Sequence, residues 1–233
     1  MQLTAELVIN GLFSILLIVV FVVVGFKILL KYKEYKKKIF FLTGIAWIGI
    51  SEPWWPSATG FLMVLITGGG LSLEAYLILN NMFLPIFLFS WLMAVTEMVQ
   101  TKRRVLILIV YLLIALILET LMIYYLITDI SKLAVMVSPV DIDFGFITIL
   151  HLAFNLIVFM ISGILFSLKT LNLEDSENKL RGKFLLLAFI LFLIGALLEI
   201  VITLPPNRII ILSSAIIFYI GFMMPKGIKT RFL

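Results

Sequence analysis

The sequence predicts an all-α, polytopic membrane protein built as a bundle of seven transmembrane helices. Hydrophobic residues make up 63% of its 233 positions, charged residues only 13%, and the mean hydropathy is +1.23. A soluble domain of this length needs more polar surface. The apolar residues also fall into long runs, and basic residues collect in every second loop between them. These observations predict one membrane domain over residues 1–233.

Each apolar run is long enough to cross a bilayer, which takes about 20 helical residues. We place the spans at about 8–30, 39–67, 73–98, 105–128, 144–168, 184–204 and 208–224. The first run is too long for the core of a signal peptide. Lysines follow it, rather than a small-residue cleavage site, so it is interpreted as a span.

Lysines and arginines predict the orientation of the bundle. They fill the loops after the first, third and fifth spans and the C-terminal tail, at Lys31, Lys33, Lys36, Lys37, Lys38, Lys102, Arg103, Arg104, Lys169, Lys179, Arg181, Lys183, Lys226, Lys229 and Arg231. The opposite side carries only Lys132 and Arg208. Because cytoplasmic loops are enriched in such residues, we predict a multi-pass plasma-membrane protein with its N-terminus outside and its C-terminus in the cytoplasm. This also accounts for the net charge of +5, so no nucleic-acid partner is expected.

The second span is interrupted at residues 52–56. Only about 12 apolar residues precede Glu52, so this acid lies within the bilayer. Pro53 lacks an N–H group and disfavours helix at the residue before it. A re-entrant hairpin here would move the next basic loop outside, so we predict one interrupted crossing. Trp54 and Trp55 either line a pocket or mark the membrane interface.

Polar side chains concentrate in the middle and outer half of the predicted spans. Lipid cannot satisfy such groups, so we expect them to face one another around a polar pocket open to the outside. The predicted ligand-binding residues are Glu52, Trp54, Trp55, Asn81, Glu119, His151, Asn155 and Glu199. Pro53 and Pro85 are predicted hinges. The alternative is a self-satisfied network of interhelical hydrogen bonds.

The sequence predicts no catalytic group, metal site or cofactor. It has no cysteine, which excludes disulfides, thiolate metal sites and cysteine nucleophiles. Its single histidine cannot supply a multi-histidine zinc site or two haem ligands. The last span has no lysine for a retinal Schiff base. The external loop at 129–143 is acidic, and we expect it to be solvated rather than a cation site.

Three further features point to a family: Trp47 in the second span, residues Pro85 to Trp91 in the third, and the ending Phe218 to Pro225 followed by basic residues. With them the chain resembles the seven-helix sensory regions at the N-terminus of prokaryotic membrane histidine kinases. The resemblance implies a receptor-like sensor that binds a small molecule from the outside. No kinase follows the last helix here, so it implies signalling through a separate cytoplasmic or membrane partner, or through a homo-oligomer.

A second similarity points to transporters. The segments Lys38–Glu52 and Lys183–Glu199 each run from a basic end through apolar residues to a glycine one turn before a glutamate. This is like the parallel three-plus-one-plus-three repeats of sugar-efflux transporters. The Pro-Gln motif of that family does not occur, and the inner half of the spans carries few polar groups. We therefore predict a receptor-like sensor in a lipid bilayer, with a small-solute or lipid transporter, or a structural membrane subunit, as alternatives.

Overall fold

A computed structural model describes residues 4–201 and 207–232 as a helical bundle with one small β-hairpin. The helices are α1 Ala5–Tyr35, α2 Lys38–Gly49, α3 Trp55–Thr67, α4 Leu73–Asn81, α5 Leu84–Met98, α6 Arg104–Thr128, α7 Phe146–Leu171, α8 Ser176–Val201, α9 Arg208–Met223 and α10 Lys226–Phe232. The strands are β1 Ala134–Ser138 and β2 Asp141–Phe144, and short 3-10 turns lie at Glu52–Trp54 and Ile130–Lys132. The helical fold class is confirmed.

Five helical segments of the described chain are long and apolar enough to cross a membrane. They are Ala5–Tyr35, Leu73–Met98, Arg104–Thr128, Phe146–Leu171 and Ser176–Glu199. A sixth is possible if α9 and α10, which meet at 81°, form one bent span. The second predicted span is divided between α2 and α3, with 12 and 13 residues, and each is too short to cross alone. The chain is therefore a membrane-embedded helical protein.

Two helix breaks occur where the sequence carries proline. The Glu52–Trp54 turn separates α2 from α3, with Pro53 at its second residue. Residues 82–83 separate α4 from α5, and Pro85 is the second residue of α5. A proline has no N–H to continue an existing helix, but its fixed φ suits the first turn of a new one. Each break therefore ends one helix and starts the next.

An aromatic cluster holds α2, α5, α7, α8 and α9 together. The Trp47 ring stacks on Phe218 with 3.6 Å between centroids and 11° between planes. Trp91 packs edge-on or tilted against Phe159 and Phe189, and its indole N–H donates to Ser162 Oγ at 2.8 Å. Such rings bury large apolar areas in defined orientations, so this cluster fixes how the five helices pack.

Glycines allow close contact between α1, α2 and α5. A Cβ added to Gly44 would lie 2.8 Å from the Gly25 carbonyl oxygen, and one added to Gly49 would overlap the Phe87 ring. Small residues at helix contacts let backbones approach in membranes, where packing rather than the hydrophobic effect joins helices. These glycines therefore bring the broken α2–α3 segment against its neighbours.

The loop between α6 and α7 folds into an antiparallel hairpin, with Ser138 paired to Asp141 across a two-residue turn. Asp129 and Asp143 are exposed, as expected of a solvated loop. Several apolar residues of this loop face inward, and Leu133, Ala134, Val140 and Ile142 are buried. Leu133, Ala134 and Ile142 pack on α4 and α6, and Val140 packs on α1 and α3. They close this end of the bundle, which we call the hairpin end. The opposite end, with the basic loops, is called the basic end.

We expect Gly44→Ala to lower the thermal midpoint of the purified protein in detergent, followed by tryptophan fluorescence. The added methyl group would push α1 and α2 apart, and overpacking of this kind costs about 1–3 kcal/mol. Gly227→Ala is the matched control, since nothing lies within 4 Å of a Cβ at that position. Equal midpoints for the two variants would contradict the close helix contact.

Candidate functional site

The two helix breaks face each other inside the bundle. Glu52 Oε1 accepts a hydrogen bond from the Phe83 backbone N–H at 2.8 Å, and Asn80 Nδ2 donates to the Pro53 carbonyl oxygen at 2.7 Å. Each bond runs from one break to the other. We call residues 52–53 and 80–83 the junction.

Three oxygens of the junction have no hydrogen-bond partner among the described residues. They are Glu52 Oε2, Asn80 Oδ1 and Asn81 Oδ1, on side chains that are 0%, 1% and 1% exposed. The Asn81 amide group donates only to the Leu77 carbonyl in its own helix, at 3.3 Å. A buried polar atom left unpaired costs about 1–3 kcal/mol. The junction therefore holds three acceptor oxygens that a hydrogen-bond donor or a positive charge would stabilise.

The two tryptophans beside Glu52 have apolar surroundings. Trp54 is buried in the hydrophobic core. Trp55 donates its indole N–H to Ser51 Oγ at 2.9 Å and meets the Phe87 ring edge-on. Trp55 also lines a groove of about 320 Å³ with Ile15, Ile18, Val19, Val22, Ala58, Thr59, Leu62 and Leu79. Neither ring therefore adds a polar wall to the junction.

A second polar cluster joins α6 and α7. Glu119 Oε1 lies 2.9 Å from His151 Nε2, and Asn155 Nδ2 donates to the His151 carbonyl at 2.9 Å. Two acceptor oxygens lie near the Tyr111 hydroxyl: Asn155 Oδ1 at 2.9 Å and the Pro85 carbonyl oxygen at 3.1 Å. His151 Nδ1 is buried without a partner among the described residues. Through Pro85 this cluster is attached to the start of α5, directly after the junction.

Glu199 belongs to a third cluster, which ties α8 and α9 to α1. Its carboxylate accepts from Arg208 Nε at 2.6 Å. The same guanidinium donates to the Asn10 carbonyl and side-chain oxygens at 2.9 and 2.6 Å and to Ser14 Oγ at 2.5 Å. Arg208, predicted as a charge on the outer side, is only 7% exposed. The expectation that Glu199 faces the other acids is wrong, because a nearer arginine takes its carboxylate.

Tyr76 connects the hairpin to the helices of the junction. Its hydroxyl donates to the Val140 carbonyl at 3.1 Å and lies 2.8 Å from Ser57 Oγ. Tyr76 is one helical turn from Asn80, and Ser57 is four residues after Pro53. This contact therefore lies between the junction and the hairpin.

Asp141 is the acid of the hairpin nearest to buried charge. Burial raises the pKa of its carboxyl above the ordinary value, while the hydrogen bond from the Ile142 backbone N–H and the nearby Arg208 act in the opposite direction. The second strand is therefore coupled electrostatically to the Arg208 cluster.

The eight predicted pocket residues thus fall into separate groups. Glu52 and Asn81 lie at the junction, with Trp54 and Trp55 beside it. Glu119, His151 and Asn155 form one cluster, and Glu199 lies in another. Sequence reasoning missed Arg208, Tyr111 and Tyr76 as partners, although the two tyrosines had a signal. Tyr111 precedes Glu119 by two helical turns and Tyr76 precedes Asn80 by one, which places each pair on one helix face.

We expect Tyr76→Phe to loosen the hairpin, because it removes the hydroxyl that bonds to Val140 and Ser57. A net hydrogen bond contributes about 0.5–1.5 kcal/mol, so local opening should become about tenfold more frequent. Amide hydrogen exchange of β1 and β2 measures this. Tyr124→Phe, at an exposed tyrosine of α6, is the control. Unchanged exchange in Tyr76→Phe would show that the contact does not hold the hairpin.

Arg208→Leu should destabilise the protein by up to about 3 kcal/mol, because it leaves the Glu199 carboxylate, whose side chain is 23% exposed, without its cation. The double variant Glu199→Leu/Arg208→Leu should recover most of this loss. Arg104→Leu is the control, since its ion pair with Glu97 is 38% and 41% exposed and should contribute about 1 kcal/mol or less. Thermal unfolding in detergent measures all three. A double variant as unstable as Arg208→Leu would contradict the assignment.

Comparisons with known proteins add no relative. No protein-family model matches the chain, and neither a curated protein nor a solved structure matches it significantly.

Proposed function

We propose that the chain is a seven-span, receptor-like sensor of the plasma membrane, with its N-terminus outside and the junction as its responsive element. One observation carries the proposal: two broken helices are held to each other, across their breaks, by Glu52 and Asn80. The output goes to a separate cytoplasmic or membrane partner, or to a second copy of the chain.

The sorting of charge supports the seven-span topology. If α2 and α3 form one interrupted crossing and α9 forms the last, every basic loop falls at the basic end and the hairpin falls at the other. The 12 residues of α2 rise by about 18 Å, less than the hydrocarbon thickness of about 30 Å. Glu52 is then inside the membrane, nearer to the outer side.

The bonds of the junction supply a means of switching. Glu52 Oε1 holds the Phe83 N–H at the start of α5, and Pro53 and Pro85 permit a change of angle on either side. A change of charge or of bound ligand at Glu52 alters the strength of that bond. Rearrangement at such breaks moves packed helices by about 1–2 Å. Since α2 and α5 meet through Trp47 and Trp91, both helices would move at the basic end.

A transporter is the second candidate, and one observation favours it. Transporters build their substrate and ion sites from discontinuous helices with free carbonyl groups near the middle of the bilayer, and the junction has these parts. The packed aromatic cluster between the junction and the basic end disfavours it, because transport needs a route to both sides in turn.

Distances at the basic end test the sensor. The sequence has no cysteine, so spin labels can be attached to Lys38→Cys, at the start of α2, and to Lys102→Cys, in the loop that follows α5. We expect Glu52→Gln and Asn80→Ala to shift the label–label distance by about 2 Å. Glu74→Gln, an exposed acid in the first turn of α4, should leave it unchanged.

The other functions give different results. Folded variants that lose stability without any change of distance would indicate a structural subunit. Flux of protons or Na⁺ through proteoliposomes that is lost in Glu52→Gln would indicate a transporter instead.

A further inference from the structure

We infer that the junction binds a hard monovalent cation of the Na⁺ type, with the Glu52 carboxylate and the amide oxygens of Asn80 and Asn81 as ligands. The inference rests on the proposed function, because it assigns a ligand class to the same responsive element.

All three unpartnered atoms of the junction are oxygen acceptors on side chains that are at least 99% buried. Each of these side chains uses its remaining polar atom for a hydrogen bond, to Phe83, Pro53 or Leu77. What the junction lacks is therefore positive charge or donors. The Asn81 carbonyl adds a further oxygen, since the residue four positions later is Pro85, which has no N–H to donate.

No basic side chain supplies that charge from within the described chain. The ion pairs found within the described residues, 4–201 and 207–232, involve other acids, and Glu52 is in none of them. The contrast with Glu199 is direct, because that carboxylate meets Arg208. An isolated carboxylate in a medium of low polarity is very costly, so a bound cation would stabilise it.

The composition of the junction favours a monovalent cation. It offers one carboxylate and neutral oxygens, which balance a single positive charge. Among the described residues, no group of three or more His, Cys, Asp or Glu side chains could hold a metal ion. Hard cations prefer oxygen ligands, and unwound segments of broken helices coordinate Na⁺ or H⁺ in membrane proteins.

The number of unpartnered oxygens at the junction favours Na⁺ over a proton as the bound cation. A proton on Glu52 would make one O–H donor, which serves one acceptor and leaves the others unpaired. A cation is coordinated by several oxygens at once, so one ion bound at Glu52 would serve more than one of the three acceptors. The three unpartnered oxygens therefore fit a coordinated ion better than a single proton.

The test uses the purified full-length chain in detergent, with NaCl exchanged for choline chloride at constant ionic strength. We expect saturable binding of radioactive Na⁺, about one ion per chain, and a thermal midpoint that rises with Na⁺ but not with choline. Trp54 and Trp55, beside Glu52, should report the same titration by fluorescence.

Variants locate the ion. Glu52→Gln should abolish binding, and Asn80→Ala and Asn81→Ala should weaken it about tenfold or more. Asn81→Ala is the safeguard if Glu52→Gln does not fold, because its amide bonds only within α4. Glu74→Gln and Asn172→Ala, both exposed, are matched controls that should bind as the natural chain does.

Absence of saturable Na⁺ binding, an equal effect of choline, or binding that survives in Glu52→Gln would each overturn the inference. A fluorescence response to pH alone, without Na⁺ binding, would overturn it too. The outcomes separate it from the sensor proposal. If Glu52→Gln changes the label–label distance but the natural chain binds no Na⁺, only the cation proposal is rejected. If the natural chain binds Na⁺ but Glu52→Gln leaves the distance unchanged, the cation proposal is supported and the sensor proposal is rejected.

Discussion

Lipid offers no hydrogen bonds, so each polar group that a helix break frees within the bilayer must find its partner inside the protein. This chain meets that constraint by setting one break against another. Glu52 accepts a hydrogen bond from the Phe83 N–H at the start of α5, and Asn80 donates one to the Pro53 carbonyl oxygen. The arrangement requires close backbones, which the contact of Gly49 with Phe87 provides. The solution is incomplete, because three acceptor oxygens have no partner among the described residues, and these oxygens are the chemical basis of the proposed cation site.

The remaining polar clusters hold the bundle around this centre. Tyr111 ties α6 and α7 to Pro85, next to the junction, while Arg208 joins α1, α8 and α9. Towards the basic end, stacked and edge-on rings around Trp47 and Trp91 replace hydrogen bonds as the means of packing. Ring packing has few alternative arrangements of equal energy, whereas a hydrogen bond at a helix break can be exchanged for another. The bundle thus combines a rigid aromatic region with a polar region able to change.

Local features of the structure were predictable from sequence, and pairings across the bundle were not. Proline positions gave both breaks, because a missing N–H acts within one turn whatever the surroundings. The depth of each acid in the membrane did not predict which residue it pairs with. Glu199 pairs with Arg208, nine residues later, because α8 and α9 pack against each other. The hairpin has a run rich in valine before Pro139, Val-Met-Val-Ser, and an alternating run from residue 141, Asp-Ile-Asp-Phe. Both runs are typical of strands, even within a helical protein.

Different groups block access to the junction from the two ends of the molecule. This difference helps to distinguish a sensor from a transporter. Towards the hairpin, the barrier includes the hydrogen bond from Tyr76 to the Val140 carbonyl, which a local opening of the hairpin breaks. Towards the basic end lies the aromatic cluster, where opening a path means separating the Trp47 and Phe218 rings and exposing buried apolar surface. Opening the hairpin exposes Leu133, Ala134, Val140 and Ile142, whereas opening the basic end separates the larger Trp47, Trp91 and Phe218 rings. At about 25 cal/mol per Å² of apolar surface, the second opening costs more. Access from one side is thus energetically favoured, and a site open to one side binds and reports but does not carry its ligand across.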